Sequence, residues 1–211
     1  MRRLVVAVSV AVLVFAVGSA VHAGPPTDQL KVTIDRILAV VQDPAFRQPG
    51  KADERRQKIR GITNEVFDWQ ETGKRALGRH WEGRSPQERE EFSKLFADLL
   101  ERSYVGKIEG YSGERILYEK ETVDGDRAEV RTKLVTKAAT QIPIDYQMQK
   151  AGDRWRVYDV KIENVSLVGN YRSQFNRIIQ QSGYPELVNR LKTKQEELQF
   201  DEGAATKGKK S

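Results

Sequence analysis

The strongest constraint on the fold of this 211-residue chain is an alternation of apolar and polar residues between Glu114 and Ile162. Val130, Thr132 and Leu134 share one parity, and charged residues occupy most of the other. Short turns separate four such stretches, so we predict strands at residues 114–122, 127–138, 141–149 and 155–162. Alternation over consecutive strands is typical of an antiparallel sheet that is packed on one face and solvated on the other.

Helical periodicity precedes this region. We predict a helix that begins at Thr27 and a second that begins near Ala52, with an apolar stripe that runs through Val66 to Trp69. A short helix or turn is predicted at residues 75–81. Ser85 is followed by proline and then by glutamate three residues on, which is the capping-box signature of a helix start. That fourth helix is expected to end between residues 106 and 110.

Helical periodicity also follows the strands. Val168, Tyr171 and Phe175 fall on one face of a predicted helix at about residues 165–181. Gly183 breaks this helix, and a last helix is predicted to begin at Pro185. Helices, then consecutive antiparallel strands, then helices again form an α+β layout. We therefore predict a curved antiparallel sheet of about four strands, covered by helices on one face.

The two ends of the chain lie outside this predicted domain. Arg2 and Arg3 precede an apolar run, and small residues around Ala23 resemble a cleavage site, so residues 1–23 are predicted to be a signal peptide. An uncleaved membrane anchor is the alternative, but the run is short for a bilayer span of roughly 20 residues. Residues 24–200 form the predicted domain, and residues 201–211 a disordered basic tail. Because the sequence contains no cysteine, we expect neither disulfides nor a lipid-anchored N-terminus.

The charge balance indicates the class of partner only weakly. The formal net charge is +6, and it falls to +4 once Arg2 and Arg3 are removed. Such a small excess favours anionic partners, for example a lipid headgroup surface. Nucleic acid is not expected as a partner, because the chain is predicted to be exported and no recognition motif is present.

The residues that could support catalysis are few. Of two histidines, one lies in the predicted signal peptide, which leaves His80 alone. Asp145 and Asp159 lie on adjacent predicted strands, where two carboxylates can act as acid and base. Asp145 has the solvated parity of its strand, and Asp159 is expected to be partly buried and paired with an arginine. We predict no catalytic residue, no metal site and no cofactor.

The apolar residues are more informative. Helix stripes and one sheet face supply twelve candidates for the lining of an apolar pocket: Val66, Phe67, Phe92, Phe96, Leu99, Tyr104, Val130, Leu134, Ile144, Tyr146, Val157 and Phe175. Periodicity identifies the side on which a residue is buried, but it does not distinguish a filled core from a hollow one. Both interpretations stay open at this point.

Several stretches resemble the MlaC family, which is also called the toluene-tolerance auxiliary family. The matching stretches are Ala76-Leu77-Gly78-Arg79-His80-Trp81, Glu90-Glu91-Phe92 with the apolar residues up to Tyr104, Trp155-Arg156-Val157-Tyr158-Asp159-Val160, and Ser166-Leu167-Val168-Gly169-Asn170-Tyr171-Arg172-Ser173-Gln174-Phe175. The resemblance covers about residues 28–195. The charged segment from Gln48 to Gln57 has no clear counterpart.

The resemblance implies a periplasmic phospholipid carrier with an NTF2-like α+β fold and a helical subdomain. We expect the protein to be a monomer. A pocket between sheet and helices is implied to hold the acyl chains, and hopanoid-associated relatives leave another lipid cargo open. The implied partners are an outer-membrane lipoprotein complex and an inner-membrane ABC transporter with an MCE-type subunit. Two alternatives from other classes remain: an NTF2-like enzyme that uses Asp159 or Asp145 as base, and a scaffold or chaperone with a filled core.

Overall fold

The computed structural model describes residues 24–193, with the side chain of Val105 excepted. The predicted signal peptide and basic tail lie outside these residues. The helices are α1 (Pro25–Gln42), α2 (Ala52–Val66), α3 (Trp69–Leu77), α4 (Pro86–Glu109), α5 (Leu167–Ser182) and α6 (Tyr184–Thr193). The strands are β1 (Arg115–Asp124), β2 (Arg127–Val135), β3 (Gln141–Ala151), β4 (Arg154–Ile162) and β5 (Val165–Ser166). Single 3-10 turns follow α1 and α3.

The strands form one sheet in the order β1-β2-β3-β4-β5, and every neighbouring pair is antiparallel. The predicted α+β class and the four-strand meander are confirmed. The fifth strand is a two-residue addition in which Ser166 pairs with Lys161 as the chain turns into α5. Register shifts occur after Tyr118 in the β1–β2 pair and between Gln147 and Met148 in the β3–β4 pair, where the additional residue is Tyr158 of β4. Irregularities of this kind increase the twist of a sheet.

The predicted stripe of the second helix through Trp69 is wrong. The helix α2 ends at Val66, and Phe67 takes an extended conformation and bridges to Val157 of β4. The amide of Asp68 donates to the Val157 carbonyl at 2.8 Å, and its carboxylate caps α3 by accepting from the amide of Glu71. Pairing with the sheet therefore breaks a helix that periodicity alone would continue, and α3 begins at Trp69 rather than at residue 75.

The helix α4 begins as its sequence predicts. The Ser85 hydroxyl accepts from the Glu88 amide at 3.2 Å, and the Glu88 carboxylate accepts from the Ser85 amide at 2.8 Å. This reciprocal capping box satisfies two of the amides that a helix start leaves without partners. The capping box therefore fixes where α4 begins, and so it fixes which residues of this helix are buried.

The charged segment at residues 48–57 is anchored to the end of α4. Arg55 donates to the Glu109 carboxylate at 2.8 Å and to the Phe46 carbonyl at 3.0 Å. One turn further along α2, Arg60 lies 2.5 Å from Glu101 and also contacts Asp98. These ion pairs hold α2 alongside α4. The charged segment that lacks a counterpart in the resemblance is therefore attached to the rest of the fold.

Two apolar clusters lie in the described residues. The helical core joins α3, α4, α5 and α6 and comprises Ala76, Leu77, Trp81, Phe92, Phe96, Leu99, Leu100, Val168, Tyr171, Phe175, Ile178, Tyr184, Leu187, Val188 and Leu191. The sheet core lies between the sheet and α1 and α2, and comprises Leu30, Ile34, Val66, Ala128, Val130, Met148, Trp155 and Val157. The chain thus buries apolar surface in two adjacent places.

The start of α5 depends on Asp159. Its carboxylate accepts from the Ser166 hydroxyl at 2.5 Å and from the Val168 amide at 3.0 Å, and the same hydroxyl accepts from the Gly169 amide. The predicted arginine partner is wrong, since no arginine bonds this carboxylate among the described residues. A free helix start offers amide donors, and a short carboxylate on β4 can reach them. Asp159 therefore attaches α5 to the sheet.

The outer sheet face carries a charged network centred on Glu129. Arg131, Lys161 and Gln147 all donate to its carboxylate. Burial acts to raise the pKa of Glu129, but these hydrogen bonds outweigh it and hold the pKa at about 2. Burial and the nearby Glu129 charge raise the pKa of Asp145, which lies between Arg131 and Lys161 in register. Asp145 is thus part of a structural charge network.

Replacing Asp159 by alanine should lower the free energy of unfolding by about 1–2 kcal/mol, because the Val168 amide loses its acceptor and the capping Ser166 hydroxyl loses the carboxylate that orients it. Urea denaturation at neutral pH measures the change. Asp153→Ala, in the exposed β3–β4 turn, is the control and should change stability by less than about 0.5 kcal/mol. Equal effects of the two substitutions would contradict the assigned role of Asp159.

Glu129 should make stability depend on pH in the acid range. Its folded pKa lies below the unfolded value, so its contribution is present at neutral pH and is lost as the pH falls from about 5 to about 2. Glu129→Gln should cost roughly 1–2 kcal/mol at neutral pH after allowance for partial exposure, and much less near pH 2.5. Denaturation curves at both pH values measure this. Asp53→Asn, at an exposed carboxylate, should show no such convergence; a constant cost of Glu129→Gln would contradict the account.

Candidate functional site

The inner sheet face, which we define as the face toward α1 and α2, is apolar across four strands. Strand register aligns its residues in cross-strand rows. From the β2–β3 hairpin upward, the rows are Ile116–Leu134–Ile142, then Tyr118–Thr132–Ile144–Ile162, then Val130–Tyr146–Val160, then Ala128–Met148–Val157. Side chains paired across strands lie close enough to form one continuous surface.

Burial differs between the two ends of this face, although Thr132 in the second row is itself buried at 1% exposure. Met148 and Val157 in the uppermost row are fully buried beneath α1 and α2, with exposures of 0%. In the row nearest the hairpin, Ile116, Leu134 and Ile142 are all only half-buried. The helices therefore cover one end of an apolar surface and leave the other end partly open.

Two tyrosines lie between the two ends of this face. Burial raises the pKa of Tyr146 to about 12. Burial, with smaller effects of Tyr146 and Asp35, also raises the pKa of Tyr118. Within residues 24–193 neither hydroxyl has a hydrogen-bond partner, although buried tyrosine hydroxyls usually find one. The Thr132 hydroxyl on the same face donates to the Ile144 carbonyl, so the two tyrosine hydroxyls are the polar groups of this face that remain available to a cargo.

The twelve predicted lining residues separate into three groups. The helical core contains Phe92, Phe96, Leu99 and Phe175, with Tyr104 packed at its edge. The sheet core contains Val66, Val130 and Val157, with Phe67 and Tyr146 packed against it. Leu134 and Ile144 belong to neither core and lie on the half-buried end of the inner sheet face. Their role in lipid binding stays a prediction.

The aromatic members of the helical core contact one another. Phe175 meets Phe92 and Phe96 edge-on, with ring centroids 5.5 and 5.2 Å apart, and it stacks on Tyr171 at 5.6 Å. These spacings are those of favourable aromatic pairs. Mutual packing accounts for the burial of these rings, so the partly covered surface lies on the sheet and not in the helical core.

Sequence reasoning missed some residues of the inner sheet face. Ile116 and Tyr118 of β1 and Val160 and Ile162 of β4 lie in the same rows as the predicted Leu134, Ile144 and Tyr146. Alternation within β1 would have identified Ile116 and Tyr118. The register shift in the β3–β4 pair obscures the parity of Val160, because it places Val157 and Val160 on one face although they are three residues apart.

Of the three polar residues considered for catalysis, His80 and Asp159 have hydrogen-bond partners, and Asp145 lies among the charged residues of the outer face. The Nε2 atom of His80 lies 2.9 Å from Asn176 Oδ1, which also accepts from Arg79. Both carboxylate oxygens of Asp159 accept hydrogen bonds, and Asp145 lies on the outer face of the sheet. In the described part of the chain no three His, Asp or Glu residues group as metal ligands. None of its helices combines the length and apolar character needed to cross a bilayer.

Known proteins share this fold. The chain superposes on the phospholipid-binding protein from Ralstonia solanacearum, solved in complex with a phospholipid, with a TM-score of 0.72 and 25% sequence identity. The superposition covers 80% of this chain and 95% of that one. The fold found here is therefore one that holds a phospholipid in the Ralstonia protein.

Sequence comparison leads to the same group of proteins. The intermembrane phospholipid transport system binding protein MlaC of Haemophilus influenzae is 25% identical over 124 residues, which is 56% of this chain and 58% of that protein. The toluene tolerance protein ttg2D of Pseudomonas putida is 24% identical over 100 residues, 47% of this chain and 46% of that protein. The chain thus spans about half the length of these relatives. The family model for the MlaC protein matches residues 31–193, and the chain belongs to the MlaC family.

Proposed function

We propose that the mature chain is a periplasmic carrier that holds phospholipid acyl chains against the half-buried end of its inner sheet face. The observation that carries this proposal is the difference in burial between Met148 and Val157, at 0% exposure, and the half-buried Leu134 and Ile144. A continuous apolar surface with only one end covered can accept a further apolar body. The phospholipid bound by the Ralstonia protein supports the choice of acyl chains.

The energetics fit a surface of this composition. Each buried CH₂ group is worth about 0.8 kcal/mol, so two acyl chains stand to lose roughly 20 kcal/mol or more in water. A carrier must offset most of that cost without exceeding the membrane's own affinity, or the lipid would not be released. Branched aliphatic and tyrosine side chains provide this by contact area alone. Tyr118 and Tyr146 add two hydroxyl groups that can bond polar atoms of the cargo.

The same function requires no reaction. A carrier moves its cargo unchanged between an outer-membrane lipoprotein complex and an inner-membrane ABC transporter complex with an MCE-type subunit, and we propose these as the partners. The structural roles of His80, Asp145 and Asp159 support a non-enzymatic function. Loss of the Asp159 carboxylate in Asp159→Asn should leave lipid binding unchanged, whereas an enzyme that used it as base would lose turnover.

Leu134→Trp should abolish phospholipid loading, because the larger side chain would fill the half-buried end of the inner sheet face. Leu117→Trp is the matched control, since Leu117 lies on the opposite face of the neighbouring strand with 42% exposure. Phosphorus assay of lipid extracted from the purified proteins measures loading. We expect lipid in the wild type and in Leu117→Trp, and none in Leu134→Trp.

Thermal unfolding of the same samples separates loading from stability. Overpacking costs typically about 1–3 kcal/mol, which a folded domain of this size can tolerate. A folded Leu134→Trp protein that still carries lipid would show that the acyl chains bind elsewhere. The proposed position of the site would then be wrong.

A further inference from the structure

Two contacting segments of the chain contain no acidic residue. Residues 72–81, at the end of α3, and residues 164–185, which include all of α5, carry arginine and lysine but neither aspartate nor glutamate. Elsewhere about half of the described basic residues pair with carboxylates, as Lys94 does with Glu90 and Lys192 with Glu91. Arg172 and Arg177, by contrast, are exposed and have no carboxylate partner among the described residues.

Polar contacts fix the geometry where the two segments meet. Asn176 Oδ1 accepts from Arg79 at 2.9 Å and lies 2.9 Å from His80 Nε2. Gly78 has a positive φ of 54°, and a Cβ atom there would lie 3.3 Å from the Arg172 side chain. The stem of Arg172 thus crosses the backbone of Gly78, next to Arg79. Two guanidinium groups are held on adjacent elements without an anion between them.

Helical geometry arranges these residues on one side of α5. At 100° per residue, Arg172 and Arg177 point about 140° apart. Between them lie Gly169, Ser173, Asn176 and Gln180, which are all uncharged. We call Arg79, Arg172 and Arg177 with this uncharged strip the basic face. If α5 lies parallel to a planar surface with the uncharged strip facing that surface, one arginine lies on each side of the strip. Both arginine side chains can then reach the surface.

We propose that the basic face docks on the surface of a bilayer that contains anionic phospholipid. Arginine forms bidentate hydrogen bonds with phosphate oxygens, and a bilayer presents such oxygens as a continuous plane. The uncharged strip contains no exposed large apolar side chain, so contact stays at headgroup level and is reversible. The biological sense of this docking rests on the proposed carrier function, because a carrier that exchanges lipid with membrane-bound complexes works close to a bilayer surface.

Vesicle flotation of the mature protein tests the proposal. The probes are vesicles of phosphatidylcholine alone and of phosphatidylcholine mixed with phosphatidylglycerol, at low ionic strength. The wild type should bind the mixed vesicles and should be released by high salt, since exposed charges are screened within about 3 Å at 1 M. The double variant Arg172→Gln, Arg177→Gln should bind about 25-fold more weakly, at about fivefold for each arginine.

A second double variant controls for net charge. Arg115→Gln with Lys120→Gln removes two exposed cations from β1 and should keep binding within about twofold of the wild type. Equal losses in the two double variants would overturn the proposal, because net charge and not the basic face would then govern binding. Wild-type binding without preference for phosphatidylglycerol would also overturn it. Absence of wild-type binding to either kind of vesicle would overturn it too and would leave an acidic protein surface as the occupant. Unchanged vesicle binding of the Arg172 and Arg177 double variant would also overturn the proposal.

The failure of this inference differs from the failure of the carrier function. The basic face lies on the helical layer, whereas the proposed acyl-chain surface lies on the sheet. Phospholipid content of the Arg172 and Arg177 variant, measured after purification, should therefore equal that of the wild type. Vesicle binding by a protein that carries no phospholipid would support the basic face and refute the carrier function. Co-purified phospholipid without vesicle binding would support the carrier function and refute docking by the basic face.

Discussion

The structure depends on a mismatch between the length of one apolar sheet face and the helices that cover it. Four strands of period two place apolar side chains on the inner sheet face over its whole length. The first two helices bury Ala128, Met148 and Val157 at one end, but leave Ile116, Leu134 and Ile142 half-buried at the other. Because incompletely buried apolar area can gain free energy from further burial, this end of the face is where we propose that acyl chains bind.

The helical core makes this arrangement possible. Its rings pack against one another around Phe175, so α3, α4, α5 and α6 hold together without help from the open end of the sheet. Asp159 joins this layer to β4, and the pairing of Phe67 with Val157 joins it at a second point. A rigid layer fixed at two points can border a surface that stays partly uncovered. Filled and incompletely covered regions thus have separate positions in the molecule.

The periodicity of apolar residues predicted the face of each helix or strand on which side chains are buried. The alternation in β2 and β3 predicted the meander, and the capping box at Ser85 predicted the start of α4, because both signals are local. The α2–α3 boundary could not be predicted, since a backbone hydrogen bond from Asp68 to a strand about ninety residues away ends the helix. The partner of Asp159 was also missed, because an amide at a helix start is not visible as a residue type. A filled and an open apolar face have the same period, so the sequence left that question to the structure.

The most direct test of the account is native mass spectrometry of the wild-type mature protein, purified from a host that exports it, with identification of the lipid after denaturation. We expect an added mass of one diacyl phospholipid on each chain, bound without covalent attachment. A bare polypeptide mass that persists after incubation with phospholipid vesicles would contradict it. The half-buried rows of the sheet would then be the surface of a filled scaffold and not a site for acyl chains.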